Sequence, residues 1–233
     1  MQNKIKTLLI DLDHTLWDFE TNSKIALKEA LSMLDLLDQI EDYDYFFDVY
    51  EEINTSYWAK YRKREIDRDK LIIGRFEDTF EKVLPNARGC GLRLNDVYLE
   101  CMPRQSKLLP GALDFLKYAS KKYKIVLVTN GFRKVQWQKI YTSKIDQYVD
   151  HMVVSEDVGV PKPSPKIFQY ALSCANAKRT EAIMIGDSFE ADVMGAIAMK
   201  IPTIYFAKQT KESFESDYLL TTTVDWNAIR NLL

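Results

Sequence analysis

Short apolar runs that stop abruptly at polar residues, separated by stretches of helical periodicity, constrain the fold of this chain more than any other feature. Leu8-Leu9-Ile10 ends at Asp11, Ile125-Val126-Leu127-Val128 at Thr129-Asn130, Met152-Val153-Val154 at Ser155-Glu156, and Ala182-Ile183-Met184-Ile185 at Gly186-Asp187. A fifth run, Thr203-Ile204-Tyr205-Phe206, follows Pro202. Runs this short and rich in branched residues read as strands buried on both faces, and strands alternating with helices build a parallel sheet with right-handed crossovers. The expected fold class is therefore α/β, with a doubly wound, Rossmann-like parallel sheet. A chain of 233 residues has room for such a domain and a smaller second one.

The alternation breaks between residues 17 and 105, where helical spacing prevails and turn signals gather at Pro85, Asn86, Gly89 and Gly91. The expected division is a catalytic core made of 1–16 and 106–233, with 17–105 an all-helical insertion capping the site. Within it Tyr43, Phe46, Phe47, Tyr50, Ile53, Tyr57, Trp58 and Tyr61 recur at helical spacing, which reads as a packed face of a small helical domain. Glu41, Asp42 and Asp44 read as a solvated helix face. Ser164-Pro165 reads as an N-cap and first helical residue. Ala191, Gly195, Ala196 and Ala198 are small enough to let a helix lie close on a sheet.

A net charge of −2 offers no field for a polyanion, so a nucleic acid polymer is not an expected partner. Three cysteines without a Cys-x-x-Cys, beside two histidines, give no zinc cage, and reduced thiols are expected. No apolar stretch approaches membrane-spanning length, and Lys4 and Lys6 are followed by too few apolar residues for a secretory leader, so a cytoplasmic location is expected.

The chemistry gathers at the strand ends. Asp11 and Asp13 stand two apart where the first strand finishes, so both carboxylates face one way while the chain stays extended. Crowded, half-buried like charges call for a proton or a cation, and a hard ion such as Mg²⁺ takes oxygen ligands while leaving positions for phosphate. In a parallel sheet the ends of the other strands bring Thr129, Asn130, Lys162 and Asp187 to the same edge. This inventory suits phosphoryl transfer from a monoester. One of the Asp11/Asp13 pair attacks phosphorus while the other protonates the leaving oxygen and then activates water. Asp187 completes a Mg²⁺ site, Lys162 and Thr129 hold phosphoryl oxygens, and N–H groups near Asn130 and Gly131 assist. Singly, each residue has a plain structural use: Asp187 or Asp192 at a helix start, Thr129-Asn130-Gly131 as a turn, Lys162 in solvent.

Asp11-Leu12-Asp13-His14-Thr15, Thr129-Asn130-Gly131, Lys162 within Pro161-Lys162-Pro163, and Gly186-Asp187-Ser188-Phe189-Glu190-Ala191-Asp192 together resemble the four ordered motifs of the haloacid dehalogenase (HAD) superfamily. The helical insertion is similar to that superfamily's C1 cap. The resemblance implies Asp11 as nucleophile and Asp13 as general acid/base. It also implies Mg²⁺ on the Asp11 and Asp187 carboxylates and the Asp13 backbone carbonyl, phosphate on Thr129 and Lys162, and Asp192 with Ser188 supporting metal and lysine from behind. His14 stands where many members carry glycine, and histidine tolerates positive φ there. Asp13 argues against dehalogenation. Thr129-Asn130-Gly131-Phe132, the Glu156–Pro163 stretch and Trp58, Gly74, Arg75 and Phe76 are further similar to bacterial house-cleaning pyrimidine 5'-nucleotidases. That implies a nucleoside monophosphate as substrate, with Asn54, Trp58, Tyr61 or Arg75 facing base or sugar. A sugar-phosphate phosphatase and a β-phosphoglucomutase-like phosphomutase are the alternatives. A receiver-type signalling module leaves the long insertion and Asp13 unexplained.

Overall fold

The computed structural model describes residues 5–208 and 214–233. Lys4, used above in reading the N-terminus, lies outside them. The chain divides into two compact units, one spanning Met1–Phe19 and Ser106–Leu233, the other Glu20–Gln105.

The first unit is built on β1 (Thr7–Ile10), and its chain resumes with α5 (Ala112–Ala119), β2 (Lys124–Thr129), α6 (Arg133–Thr142) and β3 (His151–Val154). A one-turn α7 (Ser155–Val158), α8 (Pro165–Ala175) and β4 (Ala182–Gly186) follow. A wide turn, Phe189–Met194, then runs into α9 (Gly195–Ala198), and β5 (Thr203–Tyr205), β6 (Leu219–Thr222) and α10 (Trp226–Leu232) close the chain. The strands form one parallel sheet in the order β3-β2-β1-β4-β5-β6. The chain steps outward from β1 to β3 and then returns to the other side of β1, so the winding reverses between β1 and β4. Ligands of open α/β sheets bind at such a reversal, beyond the carboxyl ends of the strands.

Both faces of the sheet are covered. Leu9, Val126, Val128, Val153 and Met184 share a core with Ile167, Phe168, Ala171 and Leu172 of α8 and with Ala196 of α9. The intervening residues Leu8, Ile10, Ile125, Leu127, Ile183 and Ile185 are equally buried. That is why the strand sequences are continuously apolar and do not alternate. Each such side chain contributes about 1.5–3 kcal/mol by leaving water.

Strand β6 was not foreseen. Its Leu219-Leu220-Thr221-Thr222 run is short, half-exposed and at the sheet edge, so burial imposed no apolar pattern on it. Pro165 does open α8, but Ser164 makes no side-chain capping bond.

The second unit is entirely helical: most of α1 (Phe19–Met33), then α2 (Tyr43–Arg62), α3 (Arg68–Val83) and α4 (Gly91–Cys101). Phe46, Phe47, Tyr50, Ile53 and Tyr57 are buried as the aromatic stripe required, with Tyr50 stacked on Phe76 of α3 at 5.2 Å and edge-on to Tyr98 of α4 at 6.1 Å. Glu41, Asp42 and Asp44 are exposed, and Asp42 has a further use as the cap of α2, accepting from the N–H groups of Asp44 (2.9 Å) and Tyr45 (3.1 Å). At the centre Arg75 donates to Asn54 Oδ1 (2.9 Å) and Asn95 Oδ1 (2.8 Å), tying together α2, α3 and α4. Arg75 and Asn54, anticipated as possible substrate contacts, are thus buried in the interior of this unit, whereas Trp58 and Tyr61 stay half-buried with rings 5.8 Å apart. Arg75→Met leaves two buried amides without their donor and should lower stability by about 2–4 kcal/mol, read from urea unfolding. No helix among the described residues is long and apolar enough to cross a membrane.

Candidate active site

In-register pairing of Ile10 with Leu127 on one side and Ile185 on the other aligns the ends of β1, β2 and β4. Asp11 leaves β1 with its N–H still donating to Ile185 O at 2.9 Å, which holds its side chain at the switch point. The chain then turns tightly, the His14 N–H donating to Trp17 O and the Trp17 N–H to Leu12 O. His14 sits at φ 60°, as expected of a histidine replacing glycine. That turn ends the extended path that had placed the two aspartates side by side.

Lys162, 2 % exposed, reaches Asp11 Oδ1 at 2.5 Å and Asp192 Oδ1 at 2.6 Å. Burial works against its charge, but Asp11 and Asp192 more than offset this and hold the ammonium above its ordinary range. An ammonium has three donors, and two are taken here, so one is left for a ligand. Asn130 fixes the lysine's backbone: its Oδ1 accepts from Lys162 N (2.8 Å) and its Nδ2 donates to Lys162 O (3.1 Å). The side chain of Asn130 is therefore committed to the Lys162 loop, leaving only its main chain for the role the sequence suggested.

Asp192 is fully buried and also accepts from the N–H of Ser188 at 3.0 Å. Ser188 Oγ caps the following turn by accepting from Ala191 N at 3.2 Å. Gly186 makes this packing possible, since a Cβ there would lie 2.4 Å from Asp192 Oδ2.

Asp11, Asp187 and Asp192 bring carboxylate oxygens within 4.8 Å of one another, the one such acidic group among the described residues. Asp187 accepts weakly from Thr15 Oγ1 at 3.3 Å. Three carboxylates thus face a single buried ammonium. Burial pushes Asp11 well above the usual carboxylate range, opposed by Lys162 and reinforced by Asp192 and Asp187. Burial, and then Asp192, push Asp187 from 3.8 up to about 7. Surplus negative charge on hard oxygen donors, with neither thiolate nor imidazole among them, fits a divalent cation such as Mg²⁺.

Asp13 is placed differently. Its side chain is not in that cluster: Oδ1 accepts from Lys139 Nζ at 2.6 Å and Oδ2 from Gln136 Nε2 at 2.8 Å. Each of the two neighbouring acids has a lysine partner, Lys162 for Asp11 and Lys139 for Asp13, and the surplus charge lies in the Asp11 cluster alone. Gln136 Nε2 also donates to Thr129 Oγ1 at 2.7 Å, and Gly131 N donates to the same oxygen at 3.1 Å. Since Thr129 Oγ1 accepts both, its own proton is left as the donor it can offer outward. The Gly131 N–H, assigned above to phosphate, is spent on Thr129.

A model of the haloacid dehalogenase-like hydrolases matches residues 5–200. The chain belongs to that family. Among relatives of this hydrolase, the pyrimidine 5'-nucleotidase YjjG of Escherichia coli is 31 % identical over 89 % of this chain and 88 % of its own. The glyceraldehyde 3-phosphate phosphatase of Pyrococcus furiosus is 28 % identical over 94 % and 90 %. The crystal structure of the magnesium-bound HAD-hydrolase YfnB from Bacillus subtilis superposes with a TM-score of 0.88 at 22 % identity, covering 99 % of both chains, which establishes the shared fold.

Lys139 and Gln136 of this HAD hydrolase were not singled out from sequence. Both lie on α6 with Val135 and Ile140 on its buried side. A lysine and an amide three apart on the apolar face of a helix was the available signal, because buried charge is retained only when paired.

Proposed function

We propose that this phosphatase of the haloacid dehalogenase-like family is a Mg²⁺-dependent phosphomonoesterase that works through an aspartyl-phosphate on Asp11, with nucleoside 5'-monophosphates as its substrates. The observation that carries the reading is the buried Asp11, set at the sheet's switch point between Lys162 and the acids Asp187 and Asp192.

In this reading an Asp11 carboxylate oxygen attacks phosphorus, and the bond from phosphorus to the ester oxygen breaks. Asp13 gives that oxygen its proton, so the leaving group departs as a neutral alcohol. Asp13 then takes a proton from a water molecule, whose oxygen attacks the same phosphorus and expels the Asp11 carboxylate. The third donor of Lys162 and the outward proton of Thr129 hold the phosphoryl oxygens through both steps. Asp11, Asp187 and the Asp13 carbonyl would hold Mg²⁺, and Asp192 with Ser188 would steady Lys162 and the loop. A bound Mg²⁺ neutralises charge on the transferring phosphoryl group.

The likeness to YjjG supports the nucleotide preference. The likeness to the glyceraldehyde 3-phosphate phosphatase favours the second reading, a small sugar phosphate. The helical unit Glu20–Gln105 is read as the cap that selects among leaving groups, and the enzyme as cytoplasmic. A screen with Mg²⁺ of nucleoside monophosphates against sugar phosphates is expected to give the highest kcat/KM on a pyrimidine nucleotide. In ¹⁸O water the released phosphate should carry label; transfer of unlabelled phosphoryl to a second sugar hydroxyl would make it a mutase.

A further inference from the structure

We infer that Lys139 and Gln136 are positioning residues, a clamp that fixes the Asp13 carboxylate and ties its orientation to the phosphate-facing Thr129. The inference rests on the reading of Asp13 as the acid/base.

Both Asp13 oxygens are taken by α6, one by an ammonium at 2.6 Å and the other by an amide at 2.8 Å. Such a two-point grip removes rotation about the terminal carboxylate bond, which one partner alone would leave free. Lys139 is 2 % exposed and Gln136 1 %, so neither partner can wander into solvent. The Lys139 ammonium lies 4.2 Å from the Trp17 ring centroid and 5.3 Å from that of Phe19. Two aromatic faces and one carboxylate thus hold it in a single place. A carboxylate only accepts, so the Gln136 amide must present its nitrogen to Asp13, and the second hydrogen of that nitrogen reaches Thr129 Oγ1. The acid/base and the phosphate donor are consequently coupled through one NH₂ group. Gly131 clears the space, as a Cβ there would stand 2.6 Å from the Gln136 amide. A buried charge-paired lysine has a bland use in holding the fold together, but a fold-holding pair does not call for a second partner that joins the same aspartate, read here as the acid/base, to Thr129.

Protonation of the leaving group matters for an alkoxide and hardly at all for a nitrophenolate, which separates a positioning role from a structural one. Lys139→Met should lower kcat on the wild type's best alkyl phosphate by about 30-fold with KM changed less than twofold, while the burst of p-nitrophenol from p-nitrophenyl phosphate falls less than threefold. The ratio of the two rates on one preparation is independent of how much protein folds. Lys139→Arg, which keeps the cation, should restore most of the ratio, and Lys139→Met in an Asp13→Asn background should add no further loss. An unchanged alkyl-to-aryl ratio, or a full additional loss in the Asp13→Asn background, overturns the clamp. Unimpaired alkyl-phosphate turnover by Asp13→Asn alone overturns instead the reading beneath it.

Discussion

Asp11→Asn is expected to cut turnover of every phosphomonoester by at least about 10⁴-fold, since an amide oxygen is too poor a nucleophile to form the acyl phosphate. The substitution preserves shape at a site that is 8 % exposed. It also removes a charge from a cluster in which three carboxylates compete for one lysine, so thermal stability in chelator should hold or rise while activity vanishes. Lys162 keeps Asp192 as a partner at 2.6 Å and does not become an orphaned cation. The pairing of lost activity with retained stability is what marks a site built for chemistry, because its crowded charges serve no purpose in folding. Acid-quenched labelling should detect a phosphoryl-enzyme in the wild type and none in the variant. Substantial metal-dependent turnover by Asp11→Asn would remove Asp11 from the mechanism altogether.

Removing Mg²⁺ with a chelator should lower activity by about 10³-fold or more, reversibly, as several kcal/mol of charge stabilisation disappear from the transferring phosphoryl group. The pH dependence follows from Asp187. Its carboxyl lies at about 7 in the protein alone, so below that pH an incoming ion must displace a proton. Each unit below 7 weakens apparent binding by about tenfold, giving about a 30-fold loss between pH 8 and pH 5.5. The stability of the ion-free protein runs in the opposite sense. A carboxyl raised from 3.8 to about 7 contributes stability that is complete below 3.8 and is lost as pH rises through 7. Melting temperature in chelator should therefore fall between pH 5 and pH 8, and the increment restored by Mg²⁺ should grow across that window. Calorimetric titration at the two pH values measures the first effect and differential scanning the second; a pH-independent affinity would contradict the placement of Asp187 at the ion.

Much of this was readable before any coordinates because burial on both sides of a parallel sheet leaves a blunt signature. Leu8 to Ile10 and Ala182 to Ile185 are apolar throughout, and the polar residues that follow them mark the edge where the candidate site lies. Strand β6 escaped because an exposed edge strand carries no such signature. The site was legible as a set of residue types but less so as a set of contacts. Asp11, Lys162, Asp187 and Asp192 do meet, whereas Asp13 turns to α6 once the chain leaves its extended path at the end of β1. Backbone N–H groups near Asn130 and Gly131 were read as ligand donors; the Asn130 side chain binds the Lys162 main chain, which leaves its own N–H out of account, and the Gly131 N–H goes to Thr129. Spacing alone cannot say which donor a residue spends internally. Arg75 and Asn54, named only as candidates for base or sugar, turn out to have a structural use that spacing does not reveal: the guanidinium is satisfied by two buried amides.

The strand order has a consequence for how the molecule is made. Thr7 of β1 pairs with Lys124 on one side and with Ala182 on the other, so the central strand has no neighbour close to it in the chain. During synthesis its three fully apolar residues precede β2 by the whole helical insertion, and β4 by a longer stretch still. Assembly dominated by such remote pairings is slow, and an unpaired apolar strand is adhesive in the meantime. Refolding from denaturant should accordingly be limited by docking of β1 between β2 and β4 and not by formation of the helices.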